Sequence, residues 1–397
     1  MFSLFLKLTI VSILSLSSNL AAADEIGRIK KELFSLLERI EALEAENKQL
    51  RAVTDGYASS KKITVTGDLR YRYEDIKTQG KPDRERSRVR ARISGVAKAT
   101  KDIELGIGLA SGGSDPLSTN QTLGSGGSSK GVVLDLAYFS WELGNGFSVL
   151  GGKFKNVFYR PEKNTMMWDF DYNPEGLAVI YYKAPIFINT GFNWLESDSK
   201  VDDPIAMLGL QIGYAAEIQS SALTIGAGFY DFPVKGREVF RGDNDDFFGN
   251  SFLCTDTEAL LGCTYNHDYE EIEVFAHLRT SLANQPTTFY ADYVHNRGAN
   301  DQNKGLEVGL IFGKASEPAS WQIGYSYRDL EADAVFGAVS DSDVGGGGTD
   351  VKGHVLKGQF AINKTWKLVL TYFDNKKEMS GKNQNYDRFQ IDTELKF

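Results

Sequence analysis

A chain of 397 residues with a formal net charge of −9 and a mean hydropathy of −0.30 is too polar for a bundle of membrane helices. Its acidic balance also argues against a nucleic-acid binder. Yet 42% of the chain is hydrophobic and it holds 24 Phe, 18 Tyr and 40 Gly, a balance that suits strands with one apolar and one polar face.

The first 23 residues read as a secretory signal peptide. A short basic n-region ends at Lys7, an apolar stretch runs from Leu8 to Leu16, and Ala21-Ala22-Ala23 offers a small-residue cleavage site. The apolar run is shorter than the roughly 20 residues a spanning helix needs. Over 24–52, Ile26, Ile29, Leu33, Leu36, Ile40, Leu43, Asn47 and Leu50 follow one another by alternating threes and fours. That spacing is a heptad seam with one polar residue at an a position, and it predicts a coiled-coil oligomerisation helix. A lone amphipathic helix of this length is marginal in water, so self-association is the economical explanation. A single helix lying on a barrel or a membrane surface is the other reading. A linker at 53–61, with Gly56 and two serines, leads into the segment 62–397.

From there the apolar period is two. Ile63, Val65, Leu69, Tyr71 and Tyr73 alternate with Thr64, Thr66, Asp68, Arg70 and Arg72; Val89, Ala91 and Ile93 alternate with Arg86, Arg88, Arg90 and Arg92. About sixteen such segments follow one another to Phe397, an even number as single-chain bacterial barrels require. Short connections, such as 100–102, 144–146 and 363–364, alternate with longer ones at 76–83, 112–130, 156–175, 197–203, 233–267, 297–304, 330–350 and 375–385. The expectation is an all-β transmembrane barrel of about 16 antiparallel strands, with both termini on the short-turn side and a helical coiled coil in the periplasm. A soluble sandwich is the other all-β reading, and its second face argues against it, because arginines and glutamates along several strands would be very costly in a core.

Cys254 and Cys263 lie close together in a polar Asp/Asn/Gly-rich stretch. In an oxidising envelope they point to a loop-closing disulfide in the fifth outer loop. A redox site would want a tighter Cys-x-x-Cys, and a metal site more ligands than His267. Four histidines and no G-x-S-x-G leave no catalytic constellation, so no enzyme, metal or cofactor is expected.

The last strand, Tyr386–Phe397, puts Phe389, Ile391, Thr393, Leu395 and Phe397 on one face and Arg388, Gln390, Asp392, Glu394 and Lys396 on the other. It resembles the closing strand of bacterial outer-membrane barrels, which end in Phe and are recognised there by the assembly machinery. Together with the heptad N-terminus, the start GDLRYRYE and the segment Gly151–Gly176, it resembles the "putative porin" family of Gram-negative outer membranes, similar in plan to the phosphate-selective porins O and P. The detailed likeness lies in Trp168-Asp169 through Pro174-Glu175-Gly176. The resemblance implies a trimeric sixteen-stranded channel for small hydrophilic solutes, surrounded by outer-membrane lipid and lipopolysaccharide.

Two groups of residues are the candidate site. The segment holding Arg160, Glu162, Lys163, Asp169, Asp171 and Glu175 is by position the third outer loop. Its apolar bulk at Met166, Met167, Trp168 and Phe170 predicts that it folds into the barrel as a constriction. A surface or trimer-contact role is the alternative. Arg70, Arg72, Arg86, Arg88, Arg90 and Arg92 stand on neighbouring strands as a basic wall, and like charges so placed need something to offset them. Anions in transit would make a mildly anion-preferring pore; a fully paired lining would not. A structural or adhesive barrel without significant conductance is the alternative function.

Overall fold

The computed structural model describes Ile63–Phe397 apart from 199, 201–202 and 380–381, together with residues 31, 35–36, 38–45 and 48. It divides into two units, Met1–Lys62 and Ile63–Phe397. In the first, the described residues are helical, and Leu36, Ile40 and Leu43 are each about half exposed. The predicted signal peptide, the linker and the seam positions Ile26, Ile29, Leu33, Asn47 and Leu50 lie outside the described residues.

The second unit is a closed antiparallel barrel. In chain order its strands are β1 Ile63–Thr78, β2 Arg84–Lys98, β3 Ile103–Ser111, the two-residue β4 Gln121–Thr122, β5 Val132–Gly144, β6 Phe147–Lys153, β7 Glu175–Lys183, β8 Ile186–Glu196, β9 Ile205–Ile218 and β10 Ser221–Phe232. There follow the short pair β11 Phe252–Leu253 and β12 Thr264–Tyr265, then β13 Tyr269–Leu282, β14 Gln285–Asn296, β15 Lys304–Gly313, β16 Trp321–Leu330, β17 Val351–Ala361, β18 Trp366–Met379 and β19 Lys382–Lys396. The sixteen long strands pair with their neighbours in sequence, and β19 pairs with β1 to close the ring.

The register shows why the alternation was so regular. On β1, Leu69 and Tyr71 are about half exposed on the outer face, whereas Arg70, Arg72 and Glu74 are buried on the inner one. An outer face of apolar side chains is what a strand needs in lipid, and a closed ring leaves no backbone donor unpaired at an edge. At the closing seam the amide of Gly67 donates to the carbonyl of Phe397 at 3.0 Å, and the amide of Phe397 donates to the carbonyl of Gly67 at 3.1 Å. Gly67 is required there by close approach, since a Cβ would lie 2.4 Å from Cζ of the Phe397 ring.

Two boundaries differ from the sequence expectation. The strands β18 and β19 continue through most of 375–385, so the eighth long connection is a tight hairpin. Conversely, β6 is seven residues and β7 nine, against 14 to 16 for β1, β2, β18 and β19, so the barrel wall is low on one side. The expected disulfide joins Cys254 to Cys263 in the connection between β10 and β13.

Candidate functional site

Four connections on the long-loop rim organise the lumen: L2 (112–131), L3 (154–174), L5 (233–268) and L7 (331–350). Three of them bury a shared apolar cluster within the barrel, containing Phe158, Met166, Met167 and Trp168 of L3, Val234, Phe247 and Tyr265 of L5, and Val335, Phe336 and Val339 of L7. Its wall partners are Tyr230 and Phe232 of β10, Tyr269 of β13 and Val294 of β14. Trp168 stacks on Phe158 at 5.4 Å and meets Tyr230 edge-on at 5.3 Å, while Phe336 packs on Phe232 at 5.0 Å. Aromatic pairs at these spacings add to the burial that holds the loops down.

L3 is also fastened by polar contacts. The amide of Asn164 donates to Oδ2 of Asp292 at 2.8 Å, Gln211 exchanges bonds with the backbone of Tyr159, and His277 bonds both the Tyr159 hydroxyl and Glu162. The hydrogen bond with His277 holds the Glu162 carboxyl below its usual range. Arg160 turns back on its own loop, donating to the carbonyls of Trp168 and Asp169. Asp169 is buried beneath L7, where it accepts from the amide of Ser342; burial and the nearby Asp341 push its carboxyl well up. Lys163 is exposed. Glu175 is not in the inward-folded stretch: it opens β7 and pairs with Lys153 at 2.8 Å.

The six arginines all lie on the inner face of β1 and β2, joined by Arg388 of β19. Like charges do sit opposite one another, Arg70 with Arg90 and Arg72 with Arg88. Carboxylates interleave them. Nε of Arg72 meets Asp392 at 2.6 Å, Arg90 and Arg92 share Asp68 at 2.8 Å, and Glu74 takes both Arg86 and Arg388, the latter at 2.7 Å. L3 adds Asp171, 2.9 Å from Arg92, and L7 adds Asp343, within 3.3 Å of Arg72 and 3.0 Å of Arg388. Asp171 and Asp343 thus lie on the arginine wall, where a carboxylate carried on a loop is strongly paired, whereas Glu162 sits against His277 of β13 and Asp169 beneath L7.

Arg70 and Arg88 differ from the rest. Among the described residues their nearest carboxylates stand 3.9 and 3.7 Å away, their closest polar partners are the neutral Asn120 and Ser118 of L2, and Nε of each is buried with no hydrogen-bond partner.

The inner face of β13 to β15 is lined by carboxyl groups instead of guanidiniums. Glu271, Glu273, Asp292 and Glu307 are each at most 3% exposed. Arg328 of β16 answers Glu307 at 2.6 Å, and Glu271 accepts from the backbone of Phe336 at 2.7 Å. The sequence marks 330–350 as a long connection but not its inward course or the role of Asp343. The apolar run Ala334-Val335-Phe336 inside a long connection was the available signal.

The sequence matches the family described as "putative porin" over residues 38–246 and 256–397, and the chain belongs to that family. Its fold is that of outer-membrane porins. OprB of Pseudomonas putida, in a high-pH structure, shares 13% identity over 84% of this chain and 94% of its own, with a TM-score of 0.54. A mutant form of the Rh. blastica porin shares 11% over 85% of this chain and 100% of its own, at 0.51. No curated protein sequence matches. Family and fold together define a porin, a channel-type β-barrel.

Proposed function

We propose that the protein is a passive channel for small hydrophilic solutes and ions, mildly preferring anions, in the Gram-negative outer membrane. The observation that carries this reading is the inward arginine wall. Seven guanidiniums share a polar face with six carboxylates, Asp68, Glu74, Asp392, Glu394 and the two loop acids Asp171 and Asp343, and Arg70 and Arg88 meet theirs only at 3.9 and 3.7 Å. A narrow wet pore focuses such residual charge, so a small surplus suffices to bias ions of one sign.

The exposed Leu36, Ile40 and Leu43 support self-association of the N-terminal helix in the periplasm, and the family supports a trimer. Lipopolysaccharide would surround the long-loop rim, and the barrel assembly machinery would read Phe397, which is 71% exposed at the seam. The aromatic cluster favours a second reading, a barrel that conducts little, because three loops bury apolar bulk inside it. Planar-bilayer recording decides between them: discrete current steps support the channel, and a silent barrel supports the second reading.

A further inference from the structure

The L7 carboxylate of Asp343 is held as a bound anion would be. Its Oδ1 takes Arg388 at 3.0 Å and its Oδ2 takes Arg72 at 3.3 Å, one guanidinium per oxygen. Both arginines already have carboxylates of their own, Asp392 for Arg72 and Glu74 for Arg388, so Asp343 is an added partner and not the one that makes these residues tolerable in the barrel. Its side chain is about one-third exposed, whereas those of Arg72 and Arg388 are nearly covered.

The segment carrying it is a short glycine-rich turn anchored beside the wall, the Gly345 amide donating to Oδ1 of Asn375 at 3.0 Å. Gly345, Gly346, Gly347 and Gly348 follow Val344 with φ of 60°, 85°, 107° and 78°, a left-handed run that only glycine adopts freely. On the other side, Ser342 ties it to Asp169 and to the carbonyl of Leu117. Withdrawing Asp343 would leave Arg72 and Arg388 each a partner short, beside the undersupplied Arg70 and Arg88. Four guanidiniums would then face Glu74 and Asp392, with Glu394 farther off.

We propose that this is a binding site for small solute carboxylates, in which Asp343 is a tethered competitor that a permeating carboxylate displaces. The inference deepens the channel reading and rests on it: the solute class is a carboxylate, because that is the group the site already holds. A planar carboxylate meets two guanidiniums through two oxygens at little geometric cost. Affinity for the solute is reduced by the fraction of time Asp343 occupies the site, so removing the competitor should raise it.

The test is succinate and acetate added to single channels in potassium chloride, with neutral acetamide as the control, for wild type, D343N and D343E. Succinate should reduce the chloride current, and D343N should lower the half-inhibiting concentration about tenfold, as expected for a site occupied by Asp343 roughly nine-tenths of the time. D343E keeps a tethered carboxylate and should stay near wild type. Equal half-inhibiting concentrations in wild type and D343N, no inhibition in either, or equal inhibition by acetamide would overturn the proposal. Calorimetric titration of succinate into the detergent-solubilised barrel reads the site without current. Tighter binding by D343N supports the site even if the barrel is silent and the channel reading fails, whereas unchanged or absent binding overturns it while leaving a conducting channel intact.

Discussion

The lumen has two unlike walls. Around β1, β2 and β19 the inner face is built from arginines interleaved with carboxylates, and L2, L3 and L7 reach it through Ser118, Asn120, Asp171 and Asp343. Around β10, β13 and β14 it is aromatic and acidic, and the same L3 and L7 reach it through Trp168, Asn164 and Phe336. One wall holds the loops by charge pairing within reach of water, the other by burying apolar rings. The net sign of the first sets ion preference, whereas the apolar bulk of the second sets how wide the lumen is.

The largest effect should come from the seam at the centre of the charged wall. Deleting Phe397 removes the ring over Gly67 and the last two backbone bonds between β19 and β1. Outer-membrane levels of the heat-modifiable barrel should fall severely in fractionation; unchanged levels would show that closure does not depend on this residue.

Trp168→Ala attacks the aromatic wall. Emptying a buried Trp site costs about 3–5 kcal/mol, enough to free the middle of L3 from Phe158 and Tyr230. Single-channel conductance should rise several-fold with ion preference little changed. No change in conductance would mean that the polar ties of Asn164 and His277 hold L3 without it.

Replacing Arg88, Arg90 and Arg92 together with Glu attacks the charged wall and strands Asp68 and Asp171 without their cations. The zero-current potential in a salt gradient should move towards cations. A potential that stays put would place these side chains outside the conducting path.

The smallest effect concerns pH. Burial alone would raise the Asp343 carboxyl, but the guanidiniums of Arg388, Arg72 and Arg70 outweigh it and hold it well below the usual range. A depressed carboxyl contributes stability that is fully present above its unfolded value of about 3.9 and is lost only as pH falls below that. The L7 contact should therefore stay closed from about pH 8 to pH 5, and D343N should differ from wild type by the same conductance ratio throughout; a ratio that varies across that window would contradict the assignment.

Much of this was legible in the sequence. Strict alternation fixes each side chain's face, so Arg70, Arg72 and Glu74 inward and Leu69 and Tyr71 outward could be read directly. Phe397 marked the seam, and the bulk of Met166 to Trp168 marked L3 as inward-folding. L7 was harder, since a loop has no period and nothing local says that Phe336 will find Phe232 some hundred residues away. The ends of β18 and β19 escaped because a strand rising beyond the lipid no longer needs an apolar outer face, and Asn375, Lys376 and Asn385 read as a polar turn. Partner choice was least legible: sequence shows seven arginines and their nearby acids, but only the register and the loop path put Asp171 and Asp343 among them.

The account stands on the lumen being a conducting path with a residual positive wall. The most direct measurement is the current through purified wild-type protein in a planar bilayer under a potassium chloride gradient. The account predicts discrete steps and a zero-current potential on the anion side that shrinks towards zero as the salt approaches ~1 M, where screening acts over only about 3 Å. Absence of steps from correctly folded barrel, or a potential firmly on the cation side, would contradict it.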